Sequence, residues 1–182
     1  GSLYFPESLN AFLRGLRKWA EESPASTAAK TQLCYMGADG ARFDSAVGAG
    51  LSRIEVRNAG YIDTQHMAAL CRAAAVNAYI GHPGTFHHKL LELLACDRPI
   101  LVVPSETTEE KSLARKAGCL LMEAADEGEV ADVIKRIFAD WQATPLERKG
   151  GGESRREFSW PNQAARLNTI LQQVRTGARG SM

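Results

Sequence analysis

Apolar residues recur at Leu9, Phe12, Leu13, Leu16 and Trp19, spaced i, i+3, i+4, i+7 and i+10, which marks one face of an opening helix. Pro6 and Glu7 suit its first turn, where a missing N–H and a negative charge are both tolerated. A loop is predicted through Ser23–Thr27, then a short strand over Gln32–Met36 that ends in the turn Gly37–Gly40. A helix over Phe43–Ala49 and a strand over Ile54–Arg57 follow, the strand closed by Asn58-Ala59-Gly60. The next helix spans Gln65–Ala75 and the next strand Val76–Ile80, halted by Gly81 and Pro83. Phe86–Cys96 is apolar nearly all round and is expected to lie deep in the fold. Ile100–Val103 is an unbroken apolar run, the mark of a parallel strand covered on both faces.

A helix over Thr108–Ala117 leads into Cys119–Met122, after which Val130, Val133, Ile134, Ile137, Phe138 and Trp141 repeat at helical spacing. Residues 148–156 are polar and glycine-rich and are read as a mobile connection. Beyond them Ala164, Leu167, Leu171 and Val174 mark a terminal amphipathic helix over residues 161–175. There is no internal repeat. Strands alternating with helices mean βαβ units. The expected fold is therefore a Rossmann-like, doubly wound α/β domain. It has one mostly parallel sheet with helices on both faces, and it uses every element from Ser8 to Arg175.

Composition narrows the function classes. With 182 residues, 45% of them hydrophobic, the chain can bury one sizeable core, so one domain is expected. The 22 basic and 21 acidic residues leave a net charge of +1, which argues against a nucleic-acid partner. No apolar run approaches the roughly 18 residues of a membrane span and no signal peptide opens the chain. The expected location is the cytoplasm, or the periphery of a membrane in a full-length protein. Cys34, Cys71, Cys96 and Cys119 are far apart in apolar stretches, so buried thiols are expected rather than a disulfide framework or zinc site. His82-x4-His87-His88 lacks a carboxylate or cysteine at ligand spacing, and no metal is expected there.

Ligands of an open parallel α/β sheet bind outside the carboxyl ends of its strands. Three turns fall at such ends: Gly37–Gly40, Gly60–Asp63 and Gly81–His88. The third runs Gly81-His82-Pro83-Gly84-Thr85-Phe86-His87-His88-Lys89 into a helix, whose first N–H groups favour an anion. Glu92 lies on the same helix face as Lys89 and His88. Spacing alone leaves two other readings open. The loop could be a plain turn, and Lys89 with Glu92 a solvated pair. His87 and His88 taken alone read as solvent-exposed turn residues rather than catalysts.

The segment from Gly84 to Ile100, with its pattern K-x-x-E-x-x-A-x-x-x-P-I over Lys89, Glu92, Ala95, Pro99 and Ile100, resembles the donor-site segment of retaining GT-B glycosyltransferases of the group 1 (family 4) type. Gly60-Tyr61-Ile62-Asp63 is similar to that family's G-Y-V turn, Leu3–Trp19 to its first helix, and Phe158-Ser159-Trp160 to the aromatic lead-in to its closing helix. The resemblance implies the carboxyl-terminal, donor-binding half of a GT-B fold. It assigns Glu92 to the donor ribose, and the backbone of Gly84, Thr85, Phe86 and His87 to the diphosphate. Lys89 lies beside the diphosphate, and Gly60, Tyr61 and Ile62 meet the base.

The implied reaction is sugar transfer from a nucleoside-diphosphate donor to a glycan or other acceptor, as in polysaccharide biosynthesis. It proceeds with retention and without an essential metal or other cofactor, and its main demand is stabilising the departing diphosphate. The family's first acid corresponds here to Gly84. The stretch Gly1–Ser8 lacks the arginine and lysine that many members place after the first strand. The family's opening strand and acceptor-binding domain have no counterpart, so the chain is expected to be inactive alone. No residue is assigned a catalytic role. The alternative is a non-catalytic GT-B-like binding or interaction module of a larger protein.

Overall fold

The computed structural model describes residues 3–48, 50–143 and 160–177, with side chains except at residues 160 and 174–177. Helices α1 (Pro6–Glu22) and α2 (Ala25–Ala28) precede strand β1 (Gln32–Tyr35). Then come α3 (Gly40–Val47), β2 (Glu55–Asn58), α4 (Thr64–Ala73), β3 (Asn77–Ile80) and α5 (His88–Leu94). They are followed by β4 (Ile100–Val103), α6 (Thr108–Lys116), β5 (Leu121–Glu123), α7 (Glu127–Ala143) and α8 (Trp160–Gly177).

All strand pairs are parallel, as the alternation of helix and strand predicts. Their grouping differs from the expected single sheet. β1 pairs with β2 in one sheet, and β3, β4 and β5 form a second in that order. Among the described residues no ladder joins the two. Periodicity identifies strands but does not name their partners, so a division of this kind is invisible to it.

β4 shows why the two faces need helices. Its four residues are all buried. Leu101 and Val103 join a core with Leu13, Trp19, Phe43, Val130 and Ile137, contributed by α1, α3 and α7. Ile100 joins a second core with Cys71, Leu90, Leu93, Leu94 and Ala114, from α4, α5 and α6. The first core also takes in Tyr35, and Leu33 and Val56 pack against it, so α1 and α7 cover both sheets.

Helix ends follow local chemistry. Pro6 begins α1 with its missing N–H where no intrahelical bond is needed. Asp63 caps α4 by accepting from the Gln65 and His66 amides. Thr107 and Glu110 form a reciprocal capping box on α6.

Two further expectations change. The loop through Ser23–Thr27 contains the start of the short helix α2. The helix expected over Phe86–Cys96 is shorter and carries an outer face, with Leu91 38% exposed and Glu92 exposed beside it, so only Leu90, Leu93 and Leu94 enter the core. The apolar stripe of α8 is open, with Leu167, Ile170 and Leu171 all exposed. The connection read over 148–156 and the Phe158-Ser159 pair lie outside the described residues. The four cysteines are free thiols. Cys71 and Cys96 are buried, and the hydrogen bond between them, together with burial, pushes the Cys71 thiol up. Among the described residues no helix is long and apolar enough to cross a membrane.

Candidate functional site

The three turns at the carboxyl ends of the strands are drawn together by specific contacts. The Gly37 amide donates to the Gly60 carbonyl at 2.9 Å, joining the turns after β1 and β2. The Tyr35 hydroxyl accepts from the Asp39 amide at 3.1 Å, and the Leu3 amide donates to Asp39 Oδ2 at 2.7 Å. Two residues on, the Phe5 ring lies 4.5 Å from that of His82, in the turn after β3. Leu3–Phe5 thus bridge the β1 and β3 ends of the fold.

Glycine is required at two of these turns. Gly60 has φ +63° and Gly84 φ +77°, left-handed values at which any side chain is strained. Gly81 is closely packed: a Cβ there would stand 3.2 Å from both His87 Cε1 and Val102 Cγ2, so these side chains would have to shift by a few tenths of an ångström.

Around these turns the residues expected to hold a donor are distributed as follows. Tyr61 is 86% exposed and Ile62 is half-buried. Gly84 and Thr85 are exposed, and the Thr85 hydroxyl lies 3.2 Å from His82 Nδ1. Phe86 packs edge-on to His88, with ring centroids 5.6 Å apart. Lys89 Nζ and Glu92 Oε2 form an ion pair at 2.6 Å on the open face of α5. A partly exposed pair of this kind is worth about 0–1 kcal/mol, so a ligand can separate it at little cost.

His87 departs from the exposed-turn reading. Its side chain is 16% exposed and sits in a network with two carboxylates that are fully enclosed. The His82 amide donates to His87 Nε2 at 2.8 Å, which places the ring proton on Nδ1. Nδ1 lies 3.0 Å from Glu106 Oε1 and 3.1 Å from Oε2, so it donates there. The Tyr79 hydroxyl also donates to Glu106. The backbone amide of His87 donates to Glu110 Oε1, so this one of the four residues assigned to the diphosphate already has an internal anion. Glu123 on β5 completes the support by accepting from the Glu106 amide at 2.8 Å and pairing with Lys111 at 2.9 Å.

Two enclosed carboxyls side by side cannot both be charged cheaply. Burial, followed by the hydrogen bond with Glu110, raises the pKa of Glu106. Burial would also raise Glu110, but hydrogen bonds from Glu106, the His87 amide and Thr107 outweigh it and lower that pKa. Of the two, Glu106 therefore holds its proton to the higher pH. Burial, and then the bond to Glu106, pushes the Tyr79 hydroxyl up.

The sign of the pH effect follows. From the ordinary glutamate range upward, the folded protein holds a proton at Glu106 that the unfolded chain has released. Its contribution is lost as pH rises through the raised value. Glu106→Gln removes that titration and is expected to flatten the decline in stability on the alkaline side of the glutamate range. Urea midpoints compared across pH 5–8 check it; an unchanged slope would contradict the assignment. Glu110 contributes in the opposite sense, above the ordinary glutamate range, and its contribution is lost as pH falls through its lowered value.

His87, Glu106 and Glu110 each offer a ligand atom, all within 4.8 Å of one another. The carboxylates missing at ligand spacing in the sequence are thus supplied from 19 and 23 residues downstream. Both nitrogens of His87 are engaged in hydrogen bonds, and the two carboxyls are held by one another and by Tyr79 and Thr107. The group is self-satisfied, and it clamps the turn after β3 to α6. The sequence reading missed both carboxylates; the Thr107-x-x-Glu110 spacing of a capping box is a signal for Glu110, and no spacing signals its reach to His87.

Two open clefts lie elsewhere. One, between the first turns of α1 and α7, is lined by Glu7, Arg14, Asp126 and Glu127; the other follows β5 and α7 past Glu123, Asp132 and Arg136. Neither includes Gly60, Gly84 or Glu92. The carboxylates of the first would oppose a diphosphate. No protein-family model matches the chain, and no curated protein matches it.

Proposed function

We propose that this chain is the nucleotide-sugar donor-binding domain of a glycosyltransferase, the carboxyl-terminal half of a doubly wound GT-B fold. One observation carries the reading. The two glycine turns that the resemblance assigns to base and diphosphate lie at the carboxyl ends of parallel strands, tied to one rim through Gly37, Asp39 and Leu3–Phe5. Open backbone at Gly60 and Gly84 leaves room for a ligand to approach, since nothing lies within 4 Å of where a Cβ would stand.

In this reading Gly60–Ile62 meet the base and Glu92 holds the ribose hydroxyls. Gly84, Thr85 and Phe86 face the diphosphate, with Lys89 released from Glu92 to neutralise it. In the transfer itself the bond between the sugar's anomeric carbon and the diphosphate breaks. That carbon then bonds to the oxygen of an acceptor hydroxyl, and the diphosphate leaves with the electron pair and takes up the hydroxyl's proton. The acceptor-binding half belongs to a partner domain.

The test is calorimetry with nucleoside diphosphates. A hydrogen bond to a charged group contributes about 1.5–3 kcal/mol, so Glu92→Gln is expected to weaken binding roughly ten-fold or more. Equal affinity in the two proteins would remove Glu92 from the ribose.

A second reading, a non-catalytic binding or interaction module, has its own support. Leu3–Phe5 bring no cation to the rim, and the His87 amide is taken by Glu110. Failure of every nucleoside diphosphate to bind at millimolar concentration would favour it.

A further inference from the structure

α4 is held to the rest of the fold by little. Of its ten residues only Cys71 is buried, with Met67 half-buried one turn before it. Cys71 enters the second core, where Cys96, just past the end of α5, lies with Leu90, Leu93 and Leu94. The two thiols are hydrogen-bonded to one another. Cys96 Sγ also lies 3.6 Å from the Glu92 carbonyl, one turn back along the chain.

Contacts that do not involve sulfur bring the same two segments together. Directly after Cys96 the chain turns at Asp97, whose φ of +62° is a left-handed value uncommon for a residue with a side chain. Arg98 Nε then donates to the Arg72 carbonyl at 2.6 Å, which ties the residue after Cys71 to the residue two beyond Cys96. Asn77 Nδ2 holds the Cys71 carbonyl at 3.1 Å. The pair lies just beneath the surface. Cys71 and Cys96 keep 3% and 5% exposure, and their neighbours Arg72 and Ala95 are exposed.

We propose that Cys71 and Cys96 are a reversible redox pair, which a peroxide closes into a disulfide that pins α4 to the end of α5. The Cys96 sulfur attacks one peroxide oxygen, the O–O bond breaks, and the other oxygen leaves as water with the thiol proton. The Cys71 sulfur then attacks the Cys96 sulfenic acid. The S–S bond forms, the S–O bond breaks, and the Cys71 proton leaves with the hydroxide as a second water. The two thiols together lose two electrons, and the peroxide is reduced to two waters. Cys96 attacks first because Cys71 holds its proton, kept there by the bond between the thiols and by burial. α4 follows the turn after β2 and α5 the turn after β3, so the bond links the helices behind two turns of the rim. In the thiol form α4 opens locally with ease, and the disulfide suppresses that opening.

The experiment treats the folded full chain with hydrogen peroxide, alkylates the remaining thiols, digests with trypsin without reductant and maps joined peptides by mass spectrometry. Each cysteine falls in its own tryptic peptide, Cys71 in residues 58–72 and Cys96 in residues 90–111. These two are expected to be joined by one disulfide, to separate with dithiothreitol, and to be joined equally in the Cys34→Ser, Cys119→Ser double variant. In the oxidised chain, amide exchange over residues 67–71 is expected to slow about ten-fold or more, and in Cys96→Ser treated alike it does not slow. Recovery of Cys71 and Cys96 as alkylated thiols or sulfinic acids would overturn the proposal. So would joining to Cys34 or Cys119 as often as to each other, or a bridge that leaves exchange in α4 unchanged. Nucleotide binding enters none of these readouts, so the result is independent of the donor-site reading.

Discussion

Gly15→Ala is expected to destabilise the protein by about 3 kcal/mol, the upper part of the range for forcing extra atoms into a packed core. On an exposed helix the same change would stabilise by up to about 1 kcal/mol, because alanine is the better helix former. Here a Cβ would stand 2.4 Å from Val130 Cβ, 2.6 Å from Val130 Cγ1 and 2.7 Å from the Glu127 carbonyl oxygen. The last is backbone, and Val130 is fully buried, so neither can swing aside. α1 and α7 must therefore separate, and with them the cover over both sheets. Urea unfolding with unchanged slope and a lowered midpoint is the expected result. A variant as stable as the parent would mean that the two helices do not pack at this distance.

Glu110→Ala is expected to cost about 2–4 kcal/mol. It removes the Glu110 half of the α6 capping box, the bonds from the Thr107 amide and hydroxyl, at about 1 kcal/mol, while Thr107 still caps the residue-110 amide. It also leaves the His87 amide without its acceptor and takes one contact from the Glu106 carboxyl, which keeps His87 Nδ1 and Tyr79, about 1–3 kcal/mol more. Glu110→Gln keeps one acceptor oxygen for the His87 amide and should cost less than half as much. Exchange at the His87 amide separates the two variants: fast in Ala, still protected in Gln. Similar stability for Glu110→Ala and the parent would show that Glu110 does not bear on the turn after β3.

Much of the fold was legible because burial imposes a period on the chain. Leu9 to Trp19 and Val130 to Trp141 each line one helix face, and both helices form. Ile100–Val103, apolar without a break, is the strand covered on both faces. The errors fall where local pattern and tertiary environment part. α5 is apolar in composition, yet it exposes Leu91 because only one side of it meets a core. The division into two sheets depends on which edges meet, and no periodicity records that.

The candidate site was legible to the extent that it rests on turns. Gly60 and Gly84 adopt the left-handed backbone that marks a glycine position, and Lys89 with Glu92 share a helix face as their spacing requires. What spacing could not supply was the surroundings of His87. Glu106 and Glu110 reach it across 19 and 23 residues, and they turn an apparently exposed histidine into part of an enclosed network. Nothing in a dipeptide such as His87-His88 separates the inner ring from the outer one.

The donor-site reading is tested most directly by following backbone amide signals by NMR while uridine, guanosine, adenosine and thymidine diphosphates are added in turn. One of the four should shift the amides of Gly60–Asp63 and Gly84–Glu92 together, saturably, and with an affinity that Glu92→Gln weakens about ten-fold. Shifts absent with all four nucleotides, or confined to the cleft of Glu7, Arg14 and Asp126, would contradict it.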